Sequence, residues 1–576
     1  MLFLLLGLVT GLIGAVPFFV SGRRYLALGA IYAAVVALVC SGAYYLSPPT
    51  LVNPLWGSVG IFTGLAAALA AVIVGMSSEG SYRNGGNRSR IWPAALLPAL
   101  CVALFLGRGC TGCSAFRASD YAGMIGQVEE RVWTQDVQPK DPHHIRLVPI
   151  ELAQWLADKQ LGEAPGAIGS QFQIDKDRMT IQMIKGELWY VAPLDFKDYG
   201  VWSSSGAAPG YVMVSGEDPH RTPVLKFDEK FAFTPGAYFG HDLARHLWTH
   251  GYESKGLMDY SFEIDDEGKP WWVVTVYEPT IAWSGERVEG VVLVDPTDGS
   301  TAFHELGKVP GWVDRVVPSG VAHDYIAWHG KYAGGWWNSV WAEKNIMVPQ
   351  SPTFIHGNDG EPYWVTDITS SNEKDKSLLG LMYTNARTGK SVFYRAVGSV
   401  DEAVLEAVNN KVAFKRWHGA SPVLYNMYGT MASIVPLLGE SHTFQGVAIV
   451  KIDNASEVAI GDDLPGALRE YQKLLGSHGV AASPDIAHDR KTAEGKVDRF
   501  AIDVRGQETT YYVHLKDVGV IFTGGSDLSA TLPLTQAGDT VSLTYIGSDE
   551  AVVPMMSFEN KSLTLTGTVP ARPARR

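Results

Sequence analysis

The sequence predicts a membrane α-helical domain of four spans, followed by α+β extracytoplasmic repeat modules and a small C-terminal β-barrel. Three observations lead to this fold class. Four uncharged apolar runs fill the first hundred or so residues, a hairpin pattern of glycine and aromatic residues then recurs, and short strand-like runs close the chain. At 576 residues the chain is also too long for one ordinary core.

The apolar runs are each close to the length of about 20 residues that crosses a bilayer core. None contains a charged residue. A cleaved signal peptide is disfavoured for the first run, because no positive segment precedes it. We therefore expect a four-helix transmembrane domain over 1–109 and a linker over 110–145. The four runs are 2–20, 25–46, 55–76 and 91–107.

Arginine positions predict the orientation of the spans. The first link holds Arg23 and Arg24, the second has no charge, and the third holds Arg83, Arg88 and Arg90. Positive links mark the cytoplasmic side of a membrane. We therefore expect a multi-pass protein of the cell membrane, with its N-terminus and its C-terminal domain extracytoplasmic and the lipid bilayer as a partner.

The two parts of the chain differ in charge and in cysteine content. Residues 1–117 carry +6, which leaves −19 for the rest of a chain whose total is −13. Such an acidic domain disfavours phosphate backbones, so no nucleic acid partner is expected. No cysteine follows Cys113, which excludes a disulfide framework or a cysteine metal site beyond it. Cys110 and Cys113 are a redox pair, a metal half-site, a local disulfide or two idle thiols.

A repeated unit follows the linker. Each copy has a strand, a tight turn ending in glycine (Gly186, Gly268, Gly360), an aromatic or apolar strand, and a strand that opens with another glycine. Glycine supplies the positive φ that tight hairpins need. The fourth copy, with Gly429 and Gly446, follows the pattern less closely. We expect modules over 146–233, 234–316, 317–398 and 399–464.

A helical segment is predicted before three of the four hairpins. These segments are 150–160, 235–250 and 401–410, and Thr234 and Pro235 are suited to the N-cap and first position of the second. The Trp-rich and Gly-rich stretch 321–343 leaves the third helix open. The unit is therefore a helix packed on a small antiparallel sheet.

This unit resembles the PepSY family of extracytoplasmic modules. Residues 261–299 carry the likeness best, with an Asp-Asp-Glu-Gly turn, a Trp-Trp-Val-Val strand, and a strand that ends in Asp295-Pro-Thr-Asp298-Gly299. The run Asn385-Ala-Arg-Thr388-Gly389 is similar. The resemblance implies a role in peptidase regulation or envelope protein interaction, and it supplies no catalytic residues.

The C-terminal region begins with a helix and linker over 465–494. Five or six short strands with turn signals then predict a small barrel or sandwich over 495–566. Its long first meander is similar to an OB-fold. A disordered tail is expected over 567–576.

The best chemical constellation is one helix turn of the second module. His246 and His250 are four residues apart and share a helix face, as two zinc ligands would, and Asp242 lies one turn before His246, where it would orient the imidazole. The general-base Glu of a metalloprotease motif is missing, because Leu247 occupies its position. The alternative is a helix edge with partly buried histidines.

Tryptophan pairs are the candidate binding residues. Trp336 and Trp337 follow two glycines, and Trp271 and Trp272 lie on a predicted strand. Exposed Trp pairs mark binding hot spots or membrane-interface contacts, whereas buried ones pack a core. All three interpretations are open for these residues.

Three functions follow from the sequence. The first is a non-enzymatic scaffold that presents PepSY-like repeats to an envelope protein. The second is a subunit of a secretion, conjugation or transport complex, which forms homo- or hetero-oligomers through its transmembrane helices. The third is a metal-dependent hydrolase using His246 and His250. No serine-hydrolase, P-loop or dinucleotide motif is found, so no cofactor is expected.

Overall fold

The computed structural model describes most of the chain. The predicted tail, the three arginines of the third link and part of the predicted linker after the fourth module lie outside the described residues. The described ranges are 2–52, 57–82, 92–166, 168–371, 377–477, 490–505, 508–525, 528–546 and 551–563.

Apolar helices form the N-terminal part. Three helical stretches, Leu2–Val20, Arg23–Leu46 and Ser58–Ser77, are long and apolar enough to cross a membrane. Ala95–Thr111 passes the same test together with Ser114–Gly123, from which it is bent by 51°. The chain therefore has three or four membrane-associating helices before a large β-rich domain. The helices are Leu2–Gly14, Val16–Val20, Leu26–Leu46, Ser58–Tyr82, Trp92–Thr111 and Ser114–Gly123, with a 3₁₀ turn at Arg23–Tyr25.

The small residues of the first helix pack inside this bundle. A methyl group on Gly7 would collide with Ser41, and one on Gly11 would collide with the backbone of Ala33. A methyl group on Gly14 would lie 2.7 Å from the Ala66 side chain. Glycine lets the backbones of the first three spans approach closely, as is usual for membrane helices.

Four antiparallel sheets follow one another along the chain. Their strands join mainly sequential neighbours, as in up-and-down meanders. The first sheet contains Phe172–Ile174, Thr180–Ile184, Glu187–Phe196, Tyr211–Ser215 and Val224–Lys226, and the second contains Gly256–Ile264, Pro270–Ile281, Ser284–Val294 and Thr301–Glu305.

The third and fourth sheets follow the same plan, although the third has an additional parallel strand, Glu129–Arg131, at its edge. The other strands of the third sheet are Met347–Pro349, Thr353–His356, Pro362–Ser370, Ser377–Asn385 and Ser391–Ser399, and the fourth contains His418–Gly419, Val423–Met427, Thr430–Leu438, Phe444–Lys451 and Val458–Gly461.

Helices connect and cover the sheets. The helices predicted at 150–160 and 401–410 are confirmed as Ile150–Gly162 and Asp401–Val412, and the third module begins with Ser319–Tyr332. Shorter helical segments are Trp133–Asp136, Pro142–His144, Ile168–Gln171, Lys176–Arg178, Tyr199–Ser205, Phe239–His241, Leu243–Leu247, Trp248–Tyr252, Asn338–Ala342 and Ala413–Lys415.

The long helix predicted over 235–250 is wrong. Thr234 is not an N-cap but is buried, and its hydroxyl donates to Asp195 at 3.0 Å. Gly236 lies against the same carboxylate, with no room for a side chain. These contacts hold the segment in a non-helical path, and the α-helix begins only after Asp242, whose carboxylate accepts the Arg245 N–H at 2.9 Å.

The recurring glycine that was predicted to open a strand in each unit has a physical reason in three of the four copies. At Gly210, Gly290 and Gly446 the backbone has φ of +143°, +156° and +154°. In each case a carbonyl oxygen near the neighbouring strand occupies the position of the missing Cβ. Only glycine combines this φ with so close a backbone approach. The weak fourth copy therefore shares the conformation of the first two.

The four sheets share buried apolar side chains. One core cluster contains residues from all four, including Tyr190, Val273, Trp364 and Leu438. Adjacent sheets also meet directly: the Ser399 N–H donates to the Ile452 carbonyl at 2.9 Å between the third and fourth. Phe444, on a strand of the fourth sheet, has its ring 5.8 Å from that of His220 in the first module, so the fourth sheet also contacts the first module.

Residues 124–145, expected as part of a linker, pack closely against the domain. Trp133 is 1% exposed, and its indole N–H donates to the Tyr383 hydroxyl at 3.1 Å. The chain then crosses to the fourth sheet, where Lys140 N–H donates to the Asn426 carbonyl, and Ile145 enters that sheet's core. We call residues 129–145 the strap, because they bind the third sheet to the fourth.

The C-terminal strands form a closed barrel. Helix Leu464–Ser477 precedes it and packs its apolar side on the fourth sheet through Ala467, Leu468 and Tyr471, whose spacing is that of one helix face. The barrel strands are Arg490–Arg505, Glu508–Leu515, Ile521–Gly525, Val552–Asn560 and Thr540–Ile546 in spatial order, with a 3₁₀ turn at Leu532–Leu534.

Candidate functional site

The histidine pair lies where the apolar helices meet the β-rich domain that follows them, which we call the outer domain. His246 is buried, its Nε2 lies 2.7 Å from the Gly299 carbonyl oxygen, and its ring centroid is 4.0 Å from that of His250. Burial lowers the pKa of His246. His250 Nδ1 lies 2.7 Å from the His246 carbonyl oxygen. One nitrogen of each ring is therefore already engaged with backbone.

Asp242 does not orient His246, contrary to the sequence prediction. Its carboxylate caps the short helix by accepting the backbone N–H of Arg245. Within the described part of the chain, no group of three or more His, Cys, Asp or Glu side chains is placed to hold a metal ion. A metal at His246 and His250 stays a prediction for which the described residues supply no third ligand.

The segment around His246 docks on the apolar N-terminal helices. Trp248 donates its indole N–H to the Pro49 carbonyl at 2.7 Å and stacks on Phe3 with ring centroids 4.2 Å apart. Arg245 donates to the Tyr45 carbonyl at 2.8 Å, with its guanidinium 4.6 Å from that ring. We call this contact the first junction.

A second junction lies at the end of the fourth apolar helix. Arg108 donates to the Ala282 carbonyl at 2.6 Å, and Trp283 stacks on Phe105 with ring centroids 5.3 Å apart. The hairpin loop that carries Ala282 and Trp283 belongs to the second sheet. The bundle and the outer domain are thus joined at two separate places in addition to the continuous chain.

The two strand tryptophans have different environments. Trp272 is completely buried, and its N–H donates to the Phe233 carbonyl at 2.9 Å. Its prediction as a binding residue is corrected, because successive strand residues face opposite sides and Trp272 faces the core. Trp271 is half-buried, donates to Asp265 at 2.9 Å and lies under the Lys269 ammonium group.

Trp336 and Trp337 belong to an exposed cluster with Trp341. Trp337 and Trp341 stack with ring centroids 4.3 Å apart, and Trp336 contacts Trp337 edge-on at 4.8 Å. Trp337 is 63% exposed and Trp341 69%. We call these three residues the tryptophan cluster. Its exposure favours a binding role over core packing.

Sequence reasoning missed a cavity beneath the strap. Its volume is about 480 Å³, and it lies between the third sheet, the fourth sheet and residues 131–140. This volume is within the range of ligand pockets. The aromatic lining comprises Tyr363, Tyr383, Tyr394 and Tyr425. Its charged lining comprises Arg131, Asp136, Lys140, Asp359, Glu361 and Lys390.

The polar groups of the cavity are held by one another. The Tyr394 hydroxyl donates to Asp136 at 3.2 Å, and Tyr363 donates to Asp359 at 2.8 Å. Burial, together with Asp136, raises the pKa of Tyr394 to about 12. Burial lowers the pKa of Lys140, whose ammonium group lies 3.4 Å from the His356 carbonyl oxygen. The lining presents neutral hydroxyls and charges of both signs.

A buried polar network adjoins this cavity. Glu263 is completely buried, lies 3.3 Å from Gln182 Nε2, and accepts the backbone N–H of Asp314 at 2.8 Å. Asp314 in turn pairs with His356 at 2.8 Å and with Arg387 at 3.1 Å. Burial raises the pKa of Glu263. The network links the first three sheets behind the cavity wall.

No signal in the sequence could have revealed the cavity. Trp133 and Tyr383 are 250 positions apart, and the strap has no regular apolar period.

Comparison with known proteins gives little guidance. No family model matches the chain, and no curated protein matches it. The chain is similar to the endo-arabinase from Bacteroides thetaiotaomicron VPI-5482, at 14% identity, a TM-score of 0.17, and coverage of 47% of this chain and 73% of that one. It is also similar to the Bombyx mori GH32 β-fructofuranosidase BmSUC1, at 13% identity, a TM-score of 0.16, and coverage of 70% of this chain and 68% of that one. Likeness at these TM-scores carries no argument about fold or activity.

Proposed function

We propose that this protein is a multi-pass membrane scaffold, which holds a rigidly docked extracytoplasmic domain that binds a segment of another envelope protein in the cavity under the strap. The observation that carries the proposal is the double junction. Hydrogen bonds from Arg108, Arg245 and Trp248 to backbone carbonyls fix the outer domain over the helices. A domain held in one orientation is suited to presenting a binding surface.

Two observations support the proposed orientation of the membrane part. Phe3 and Pro49 both belong to the first junction, so the start of the first helix and the second link lie beside the outer domain. Arg23 and Arg24 follow the first apolar stretch, at its other end. By the positive-inside rule, the arginine end is cytoplasmic, and the N-terminus and outer domain are extracytoplasmic.

The proposal includes the types of the modules, which are PepSY-like repeats followed by an OB-like C-terminal domain. The helices before the first, third and fourth sheets, and the common glycine conformation at Gly210, Gly290 and Gly446, support PepSY-like repeats. Asp295 and Asn385, in the two matching turns, each accept hydrogen bonds from a following threonine. The five-stranded closed barrel supports an OB-like C-terminal domain.

The lining of the cavity supports protein recognition. Tyrosine is enriched where proteins meet, because its ring supplies contact area and its hydroxyl a polar partner. Four tyrosines surround the cavity together with charges of both signs. Such a lining accommodates a mixed apolar and polar peptide segment.

Site-specific photocrosslinking in whole cells tests the proposal. A photoreactive residue at Lys390, exposed at the cavity rim, is expected to capture a discrete protein. The matched control is the same residue at Lys185, an exposed turn position of the first module. Filling the cavity with Leu424→Trp is expected to abolish the Lys390 adduct while the melting temperature stays within a few degrees. Equal adducts at both positions, or none at Lys390, would overturn the proposal.

The two other functions receive less support. Assembly through small-residue helix faces is disfavoured, because Gly7, Gly11 and Gly14 are used within the bundle. Hydrolysis at His246 and His250 lacks a further ligand among the described residues. Zinc analysis of the purified full-length protein, with His246→Ala as the control, tests the latter.

A further inference from the structure

We propose that the tryptophan cluster inserts into the outer surface of the same membrane that the N-terminal helices cross, and so forms a third attachment of the domain beside the two junctions. Trp341 lies on the helical turn Asn338–Ala342, and Trp336 and Trp337 directly precede that turn. Val340, on the same turn, is 44% exposed. The exposed apolar side chains of this segment therefore include Val340 as well as Trp337 and Trp341.

The position of the preceding helix places the cluster near the bilayer. Helix Ser319–Tyr332 packs against Ser114–Gly123, which directly continues the fourth apolar helix. The Tyr121 ring lies 5.0 Å from Trp328 and 6.0 Å from Tyr332. The Tyr121 hydroxyl donates to the Gly112 carbonyl at 3.0 Å, one residue beyond the apolar stretch. Tyr332 is therefore held at the end of that span, four residues before the cluster begins.

Other exposed aromatic residues mark the same level. Trp283 is 44% exposed and stacks on Phe105 within the fourth apolar helix. Phe116, on the short helix that contacts Trp328, is 80% exposed. Tryptophan is enriched at membrane interfaces, because its ring is apolar and its N–H is polar. On our inference, the tryptophan cluster belongs to the same aromatic level.

The charges around the cluster suit lipid headgroups. Exposed Lys331 and Lys344 flank the cluster on its two sides in the sequence, and exposed Glu343 precedes Lys344. The Lys344 backbone is tied to the turn, because Asn338 Nδ2 donates to its carbonyl at 2.9 Å. Lysine keeps its ammonium group among headgroups while its stem lies along apolar surface. An interfacial lipid surface fits this pattern of two stacked indoles with lysine on either side.

Spin-label accessibility in lipid nanodiscs tests the inference. The full chain, with its four cysteines replaced by alanine, carries a nitroxide at Val340→Cys in discs of three parts phosphatidylcholine to one part phosphatidylglycerol. We expect molecular oxygen to relax this label more than a water-soluble nickel complex does. The control is Phe414→Cys, an 81% exposed apolar position before the fourth sheet, where the nickel complex should dominate.

The outcomes separate the lipid surface from other occupants. A Val340 label as accessible to nickel as the Phe414 label would overturn the inference, because the cluster would then face water. A Val340 label shielded from both reagents would also overturn it, because it would indicate a protein contact. Adding Trp337→Ala and Trp341→Ala should move the label toward nickel accessibility at an unchanged melting temperature.

Discussion

The indole of Trp248 donates a hydrogen bond to the Pro49 carbonyl, 199 residues earlier in the chain, at a distance of 2.7 Å. One side chain thereby connects the outer domain to the loop between the second and third apolar helices. Beside it, the Leu51 N–H donates to the Glu253 carbonyl at 2.7 Å. The loop is therefore held by backbone as well as by side chains.

Removing this indole should loosen the first junction. Trp248→Ala loses the hydrogen bond and the stack on Phe3, so we expect opening of the loop to become about 2 kcal/mol easier. Hydrogen exchange at the Leu51 amide should accelerate roughly 30-fold. Exchange–mass spectrometry of the full chain measures this. Trp283→Ala, at the second junction, is the control and should leave Leu51 unchanged; equal exchange in all three proteins would contradict the role assigned to Trp248.

Asp195 should make stability depend on pH. It is buried, and burial raises its pKa to about 6, above the ordinary 3.8. Between these pH values the folded state holds a proton that the unfolded state has released, so stability falls as pH rises from about 4 to 6. A pKa shift of this size corresponds to a loss of ~3 kcal/mol in the free energy of unfolding.

Asp195→Asn removes this titration while keeping an acceptor for Thr234. We therefore expect the melting temperature of the variant to rise relative to that of the wild type as pH increases from 4 to 7. Above pH 7 the difference between the two melting temperatures, the gap, should stay constant. Thermal unfolding in detergent at a series of pH values provides the measurement. A gap that does not change with pH would show that Asp195 is ionised in the folded protein.

Trp133 should be the main anchor of the strap. Because it is 1% exposed, Trp133→Ala should lower the free energy of unfolding by about 3–5 kcal/mol. Trp133→Phe keeps most of the ring and loses the bond to Tyr383, at a cost of about 1 kcal/mol. Limited proteolysis should cut within 129–145 in the alanine variant first. Identical cleavage of the wild type and the alanine variant would argue against the anchor.

The close packing of helix Leu2–Gly14 against helix Leu26–Leu46 can be tested with a pair of substitutions. Gly7→Ala should destabilise the bundle by about 1–3 kcal/mol, because its methyl group would collide with Ser41. Gly42→Ala has open space around the new methyl group and should be neutral or slightly stabilising, since alanine favours helix. Melting temperatures in the same detergent compare the two. Equal effects would mean that helix propensity, not packing, decides.

Local patterns predicted the parts of the fold that depend on local physics. The apolar helices follow from runs without charge, and the hairpin glycines follow from backbone conformations that only glycine adopts readily. The helix expected over 235–250 failed because a distant carboxylate, Asp195, governs Thr234 and Gly236. Tertiary contacts of this kind override the helix propensity of the local sequence.

The candidate site was less accessible to sequence reasoning. Asp242 and His246 have helical spacing, yet Asp242 caps the helix, since capping needs only a carboxylate before the first turn. Trp271 and Trp272 look alike in sequence, but strand alternation buries the second. The cavity depends on Tyr383 and Tyr425 from different sheets, which no local pattern relates.

The strap also sets an order of events during synthesis. Its strand Glu129–Arg131 pairs with residues 392–394. Trp133 can donate its hydrogen bond only after Tyr383, 250 residues later, has been synthesised. A ribosome that has just delivered the membrane helices therefore leaves this segment without its sheet until most of the outer domain has been translated. Contacts so distant in sequence form slowly. The contacts of the strap with the third and fourth sheets are consequently among the last to form, so the strap stays uncovered longest in newly made chains.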